Sequence, residues 1–363
     1  MITRRELILS VGAIAGASVT GYAQFTNDKS YPARFWHKSG NTAFCDLCPH
    51  RCVLPEGRTG LCRGRKNTNG SLVSLGYAYP CAIHTDPIEK KPLYHMLPGT
   101  KTYSLGIAGC NLRCKNCQNY TISQSSPLQT ENSYLPPEKA VEEAIRKGCS
   151  SIAYTYSEPA VWIEYVLDTA ILARKAGLKN ILVSSGYINQ DPFEQLCKVI
   201  DGAHIDLKSF DNNVYFRLNA GKLQPVLDTL LTARKAGVWI EIVNLVVPQW
   251  SDDQKMIREM CRWIKQNLGN STPLHFSRFF PMYKLANLYP TPVEVLENAR
   301  KIAIEEGLPF VYIGNVSQIS PDTVCSSCGE LLISRKGYYT TIHALTGGVC
   351  AKCKTPVPGV WSH

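Results

Sequence analysis

The sequence predicts an α/β fold, a partial (β/α)6 barrel with cysteine-rich metal-binding segments at its N- and C-terminal ends. Three observations lead there. Apolar stretches of strand length alternate with amphipathic stretches of helix length between residues 101 and 320, the pattern of a parallel sheet with helices outside it. No Gly-x-Gly-x-x-Gly follows the first strand, so a dinucleotide-binding sheet lacks its fingerprint. Polar candidates for a site cluster at the C-terminal ends of the strands, where (β/α) barrels carry their chemistry.

The first barrel strand is expected over 103–108 and runs into a cysteine loop. Pro136-Pro137 opens a helix reaching 147, because proline is tolerated in a first helical turn. A strand over 151–156 leads to a helix over 160–176, which Gly177 ends. Strands over 180–185, 203–209, 239–247 and 274–280 are each followed by a helix, over 191–200, 223–236, 252–266 and 293–306. The organisation read from this is a signal segment over 1–23, a cysteine-rich segment over 24–100, the barrel over 101–320 and a second cysteine-rich segment over 321–363.

The chain has 363 residues, 44% of them hydrophobic and 19% charged, which supports one large core and excludes a disordered protein. The formal net charge of +10 is scattered, with Arg63-Gly64-Arg65-Lys66 the densest run, so a solvated surface is expected and nucleic-acid binding is not. At the N-terminus, Arg4-Arg5 precede an apolar run over 7–19 that closes at Gly21-Tyr22-Ala23. The run is short for a membrane span and resembles a twin-arginine export signal. Export or anchoring through this leader pulls against a need for cytoplasmic cofactors, so localisation stays open, and membrane contact is expected only through the leader if it is not cleaved.

Fifteen cysteines is a high and odd number, and twelve fall in or near three clusters with metal-ligand spacing. Cys149, Cys197 and Cys261 sit alone in helical stretches and read as small core residues. The most informative cluster is Cys110, Cys114 and Cys117, spaced C-x3-C-x2-C. Three thiolates on one tight loop can hold three irons of a [4Fe–4S] cube and leave the fourth open, whereas an electron-transfer cluster takes four thiolates. The open iron suits S-adenosylmethionine (SAM), whose amino and carboxylate groups chelate it. Cys45, Cys48, Cys52 and Cys62 form C-x2-C-x3-C-x9-C, a closed shell for structural zinc or for an auxiliary Fe–S cluster, with Cys81 as a spare. Cys325, Cys328, Cys350 and Cys353 form two C-x2-C knuckles twenty-one residues apart, a zinc ribbon first and a rubredoxin-like iron second.

Side chains alternate along a strand, so His204, Asp206 and Lys208 share one face and Ile205 and Leu207 the other. The charged set is expected to face the barrel interior, where a zwitterionic ligand such as SAM would satisfy it. Ser157 and Glu158 follow the second strand and Ser185 ends the third, each positioned to offer a polar group. Glu241 and Asn244 differ in parity, as do His275 and Arg278, so each pair faces inward together only across a bulge. His275 is a further candidate for cofactor contact.

At these residues the chain resembles a known family. Residues 42–319 resemble the radical SAM enzymes of the AmmeMemoRadiSam system, relatives of the pyruvate formate-lyase activating enzymes. The matching stretches are Cys45-Asp46-Leu47-Cys48-Pro49-His50-Arg51-Cys52, Asp86-Pro87-Ile88-Glu89-Lys90-Lys91-Pro92-Leu93-Tyr94-His95, residues 109–119, residues 154–159, residues 204–208 and Gly314-Asn315-Val316. The resemblance implies a SAM-bound [4Fe–4S] cluster and hydrogen-atom abstraction by a 5′-deoxyadenosyl radical. It implies that Ser157-Glu158-Pro159 stands where the family's Gly-Gly-Glu-like motif meets the methionine ammonium. It places Asp206 and Lys208 on the Asp-x-Lys near the SAM carboxylate, and residues 247–253 on the loop after the fifth strand. One departure is Asn116, where the family usually has an aromatic residue near the adenine; Tyr154 or Tyr156 would then supply that packing. The partners implied are a low-potential donor of flavodoxin or ferredoxin type and a substrate that is either a protein, of glycyl-radical type by analogy, or a small molecule. The alternative is a multi-centre iron–sulfur electron-transfer protein that does not cleave SAM.

Overall fold

The structure is a computed structural model that describes residues 30–361. The expected signal segment lies outside those residues. One sheet of eight strands organises the described chain: β1 (Ala82–Pro87), β2 (Lys101–Gly106), β3 (Ser151–Tyr154), β4 (Lys179–Ser184), β5 (Gly202–Asp206), β6 (Trp239–Val246), β7 (Leu274–Arg278) and β8 (Val311–Gly314). From β2 to β8 each strand pairs in parallel with the next, and β1 pairs antiparallel with β2. Helices α1 (Pro137–Arg146), α2 (Ile163–Lys175), α3 (Gln190–Cys197), α4 (Gln224–Lys235), α5 (Gln254–Leu268) and α6 (Val293–Glu305) connect successive parallel strands. The order is linear with β1 and β8 at the edges, so the partial barrel stays open.

Local chemistry explains most boundaries. Pro136 and Pro137 start α1, and the Asp253 carboxylate accepts from Met256 N at the start of α5. Gly177 and Gly237 take left-handed φ of +80° and +75° just past α2 and α4, the conformation that stops a helix. Two strands were not foreseen. β8 is four residues long and nearly all buried, so it reads as a plain apolar run rather than an alternation. β1, Ala-Ile-His-Thr-Asp-Pro, is too polar to announce itself and pairs on one side only.

Alternation sorts the two faces. Ala203, Ile205, Ile240, Ile242, Leu274 and Phe276 pack outward under the helices in the main core. Glu241 and His275 point inward and meet at 2.8 Å, while Asn244, of the other parity, donates Nδ2 to the Leu207 carbonyl at 2.7 Å. No bulge is needed.

The segment expected over 24–100 is no appendage. Ala43, Leu47, Leu54 and Leu72 belong to the same core as the barrel. Arg65, expected on a solvated face, is 1% exposed and ion-paired to the equally buried Glu164 at the start of α2. The stretch after β1 folds into the barrel: Ile88, Leu93, Met96 and Leu97 pack against the inward-facing Ala153 and Ile181, with Val183 and Trp239 beside them. This plug is anchored by Glu241, which accepts from Tyr94 N, His95 N and Trp239 Nε1. The sequence run 86–95 that carries much of the resemblance is therefore the floor of the barrel.

The C-terminal part forms a sheet of Thr323–Val324, Leu331–Lys336 and Tyr339–Ile342 beside a hairpin of Leu345–Thr346 and Val349–Cys350. Its own small core docks on Tyr94, Phe310 and Tyr312. Val360 bridges Met96, so the stretch at residue 360 closes under the plug. Among the described residues no helix is long and apolar enough to cross a membrane.

Candidate functional site

The cysteine loop leaves the C-terminal end of β2 and is pinned from three sides. Arg113 N and Lys115 N donate to the carbonyls of Asn219 and Leu218, both at 2.9 Å. Asn111 Nδ2 donates to Tyr187 O at 2.6 Å. On the third side, Gly109 adopts φ +101°, and a Cβ there would overlap the Cys62 carbonyl oxygen, so only glycine permits the approach. Leu112 N lies 3.4 Å from Cys110 Sγ and Ser123 Oγ 3.2 Å from Cys117 Sγ, contacts that suit thiolate ligands. Burial, then the neighbouring Glu158 charge, pushes the Cys110 thiol far up, and burial also raises Cys114 against the pull of Lys208. Such thiols ionise on meeting a metal, releasing protons as they bind.

The three clusters differ in a way that separates mononuclear from polynuclear occupants. A tetrahedral ion with sulfur at about 2.3 Å holds its ligands about 3.8 Å apart. Cys325 and Cys353 lie 3.6 Å apart, Cys328 and Cys350 3.8 Å, and all four sulfurs fall within 4.8 Å of one another. That is the donor set of a single ion, zinc or iron. Among the described residues no other group of three or more is drawn so close. Cys110, Cys114 and Cys117 are not drawn together within 4.8 Å as those four are, and three thiolates on one loop suit a [4Fe–4S] cluster with one iron left free.

The predicted polar residues converge beside this loop. Asp206 accepts from His204 Nε2 at 3.1 Å and from Lys208 Nζ at 2.8 Å. Burial alone would raise the Asp206 carboxyl, but Lys208 and His204 hold it well below the usual range. Burial would lower Lys208, yet Asp206 and then Cys114 keep it firmly protonated. His204 Nδ1 meets the Lys91 carbonyl at 2.7 Å, tying this face to the plug. Asp86 in turn binds Lys90, Lys91 and the Tyr156 hydroxyl, which hold it well below its ordinary value against burial.

Glu158 differs from expectation. Its carboxylate accepts from Ala160 N, Ser184 Oγ, Ser185 N and Ser185 Oγ, and it is fully buried. A carboxylate has about four acceptor sites, so all of them are spent inside the protein. Glu158 thus positions the 184–185 turn, with Ser185 as its donor, rather than offering a free oxygen. Ser157 Oγ donates to Ile107 O, bracing the strand end next to the cysteine loop. His275 is held by Glu241 and lies edge-on to Tyr94 at 4.7 Å, deeper than the Asp206–Lys208 pair and without a contact to it. Tyr154 faces the helices, is wholly buried and bonds Asn180, which removes it as an adenine platform. Tyr156 remains, at a left-handed φ of +73° with its carbonyl held by Asn119 Nδ2.

Sequence reasoning missed the segment that grips the cysteine loop from below. Tyr215–Asn219 forms a π-helical turn ended by Ala220 at φ +56°. Tyr215 accepts from Lys208 N, and the buried Asn219 side chain turns toward Cys114. No periodicity marks a π-turn, although such turns gather at functional sites. A Cβ on Gly221 would come 2.8 Å from Leu112, a close approach that a lone glycine in the sequence hints at without locating.

Comparisons agree with this geometry. Residues 105–262 match the family model described as the radical SAM superfamily. An uncharacterized protein of Methanocaldococcus jannaschii is 45% identical over 305 residues, covering 84% of this chain and 91% of its own. The pyruvate formate-lyase-activating enzyme of Clostridium pasteurianum is 24% identical over 176 residues, 48% of this chain and 72% of its own. The pyruvate formate-lyase 1-activating enzyme of Escherichia coli K12 is 22% identical over 229 residues, 56% of this chain and 89% of its own. With the cysteine loop at the mouth of a partial (β/α)6 barrel and the family model matched across it, residues 105–262 form a radical SAM superfamily domain.

Proposed function

We propose that this protein is a radical SAM enzyme in which Cys110, Cys114 and Cys117 hold the catalytic [4Fe–4S] cluster and Asp206 and Lys208 orient SAM. The observation that carries the reading is the convergence of the ionised Asp206–Lys208 pair on Cys114, at the rim of a barrel sealed from below. When bound, the cluster and SAM supply one-electron cleavage of the sulfonium and a 5′-deoxyadenosyl radical for hydrogen-atom abstraction. The chain's own residues do the rest. Lys208 offers a cation to the SAM carboxylate, and Asp206 keeps that cation aimed. Ser185, fixed by Glu158, presents the turn next to the methionine end. Ile88, Leu93, Met96 and Leu97 exclude water from the interior, where a radical would otherwise be quenched.

A substrate route is supported by a cavity of about 1050 Å³ between β7, β8, the plug and the C-terminal sheet. His275, Ser277 and Tyr94 reach it from the barrel, and Lys90, Arg278, Arg335 and Lys336 line it against a single carboxylate, Glu89. That charge balance favours an acidic substrate, either a peptide segment or a small anion. The AmmeMemoRadiSam resemblance and the activating-enzyme relatives point to a protein target, a glycyl-radical protein being the analogous case. The test is anaerobic reconstitution with iron and sulfide, reduction by dithionite, addition of SAM, and detection of 5′-deoxyadenosine and methionine. Both products are expected, and their absence from a fully reconstituted sample would leave an electron-transfer protein as the better reading.

A further inference from the structure

We propose that Cys45, Cys48, Cys52 and Cys62 hold a second [4Fe–4S] cluster, coordinated by four thiolates, that passes electrons to the cluster on the Cys110 loop. Spacing alone left zinc and iron–sulfur equal, and three structural observations separate them.

The first is size. All four cysteines line one enclosed cavity, together with Leu47, Leu54 and Val161. They do not close on each other as the C-terminal four do, whose sulfurs fall within 4.8 Å. No three of these thiols all fall within 4.8 Å of one another, a wider spacing than the roughly 3.8 Å of a tetrahedral ion and the sense in which a cube spreads its ligands.

The second is the wall of that cavity. Arg65 also lines it, 1% exposed, with Nη1 at 3.7 Å from Cys45 Sγ and Nε without any partner. A buried guanidinium N–H left unpaired is costly. Inorganic sulfide or a thiolate of a cluster supplies the missing acceptor, and hydrogen bonds to cluster sulfur are a recognised means of setting its potential. A zinc ion adds no acceptor beyond the four thiolates themselves, whereas a cluster adds inorganic sulfides.

The third is position. The cavity abuts the other cysteine loop: Asn111 lines it, His50 Nε2 donates to the Asn111 carbonyl at 2.7 Å, and Arg113 Nη2 donates to Leu61 O at 2.9 Å. Gly109 and Cys62 touch backbone to backbone. Outward of the cavity, Val53 and Leu61 are 58% and 47% exposed in a stretch that also exposes Arg58, Glu56 and an Arg51 paired to Asp46, a partly apolar face on which a low-potential donor can dock. One electron enters there and the same electron leaves toward the Cys110 loop, so the relay cycles between its oxidised and reduced forms without net change.

The test uses the full-length chain carrying Cys110→Ala, Cys114→Ala and Cys117→Ala, reconstituted without oxygen. It is expected to keep about four iron and about four acid-labile sulfide per chain, with a reduced-cluster electron paramagnetic resonance signal that SAM leaves unchanged. Acid-labile sulfide distinguishes this cluster from mononuclear iron at the C-terminal cysteines. The wild-type chain, should the triple variant not fold, is expected to carry about eight iron and about eight sulfide. In Cys48→Ser/Cys52→Ser, about half of that iron is lost while the SAM-responsive signal persists and reduction by a flavodoxin-type donor slows at least tenfold. Zinc with no sulfide in the triple variant, or about four sulfide in the wild type, would overturn the assignment. Neither result would touch the SAM-cleavage reading, which the product assay judges separately.

Discussion

Replacing Glu241 with alanine isolates what holds the plug in the barrel. Its two oxygens accept from Tyr94 N at 2.9 Å, His95 N at 2.8 Å, Trp239 Nε1 at 3.1 Å and His275 Nε2 at 2.8 Å, and the side chain is fully buried. Glu241→Ala leaves these donors without a protein partner in a buried part of the barrel. At a lower bound of about 1 kcal/mol per orphaned donor, the loss is about 4 kcal/mol. Against a typical total of about 5–15 kcal/mol the plug should open locally before the barrel unfolds. Glu241→Gln keeps the shape and one acceptor oxygen, and about 2 kcal/mol is expected. Amide hydrogen exchange at Tyr94 and His95 is the direct assay, because those two protons are the ones released. A loss of about 4 kcal/mol corresponds to roughly a thousandfold faster exchange at both sites, with β4 and β5 amides much less affected. Unchanged protection at Tyr94 and His95 in Glu241→Ala would refute the anchoring argument.

Three more outcomes are expected. Lys208→Met removes the cation beside Asp206 and Cys114, so SAM should bind about 10- to 100-fold more weakly while bound iron is unchanged; equal SAM affinity by calorimetry would contradict the assignment. Gly109→Ala, at φ +101° against the Cys62 carbonyl, should cost about 1–3 kcal/mol in backbone strain alone and lower iron retention at the Cys110 loop; full iron content with a normal spectrum would argue against the tight junction. Acid should loosen the plug through His95, which burial pushes down to about 4 from 6.5. Its Nδ1 donates to Pro358 O and its Nε2 accepts from the Tyr312 hydroxyl, so the neutral ring is the one that fits. The unfolded chain takes up this proton first. The contribution, about 3 kcal/mol, is whole above pH 6.5 and is lost as pH falls toward about 4. Glu241, held down to about 2 by His275 and His95 against burial, extends the loss below pH 4.5. Melting curves should show a steeper fall between pH 6.5 and 4.5 in the wild type than in His95→Gln, and equal slopes would count against it.

The alternation of strands and helices, the caps at Pro137 and Gly177 and the inward face of β5 were all legible because each follows from local periodicity and backbone geometry. So was the Cys110 loop as a candidate, since its three cysteines lie within eight residues and need no distant partner. The roles of Glu158, Arg65 and Tyr154 were not. A capping glutamate, a surface arginine and an interior tyrosine look the same in one dimension as the saturated carboxylate, the buried guanidinium and the helix-facing ring that they are. Their environment is made by residues up to about a hundred positions away, and no local rule reports which donors arrive.

The chain alone determined the α/β class and the grouping of the cysteines into three clusters, because cysteine spacing and apolar period are properties of neighbours in sequence. Only the tertiary structure decided that residues 88–97 floor the barrel, that Asp206 and Lys208 converge on Cys114, and that the Cys325 set draws within 4.8 Å while the Cys45 set does not. These depend on separations of a few ångströms between segments far apart in the chain, and such separations are set by packing, which sequence spacing does not encode.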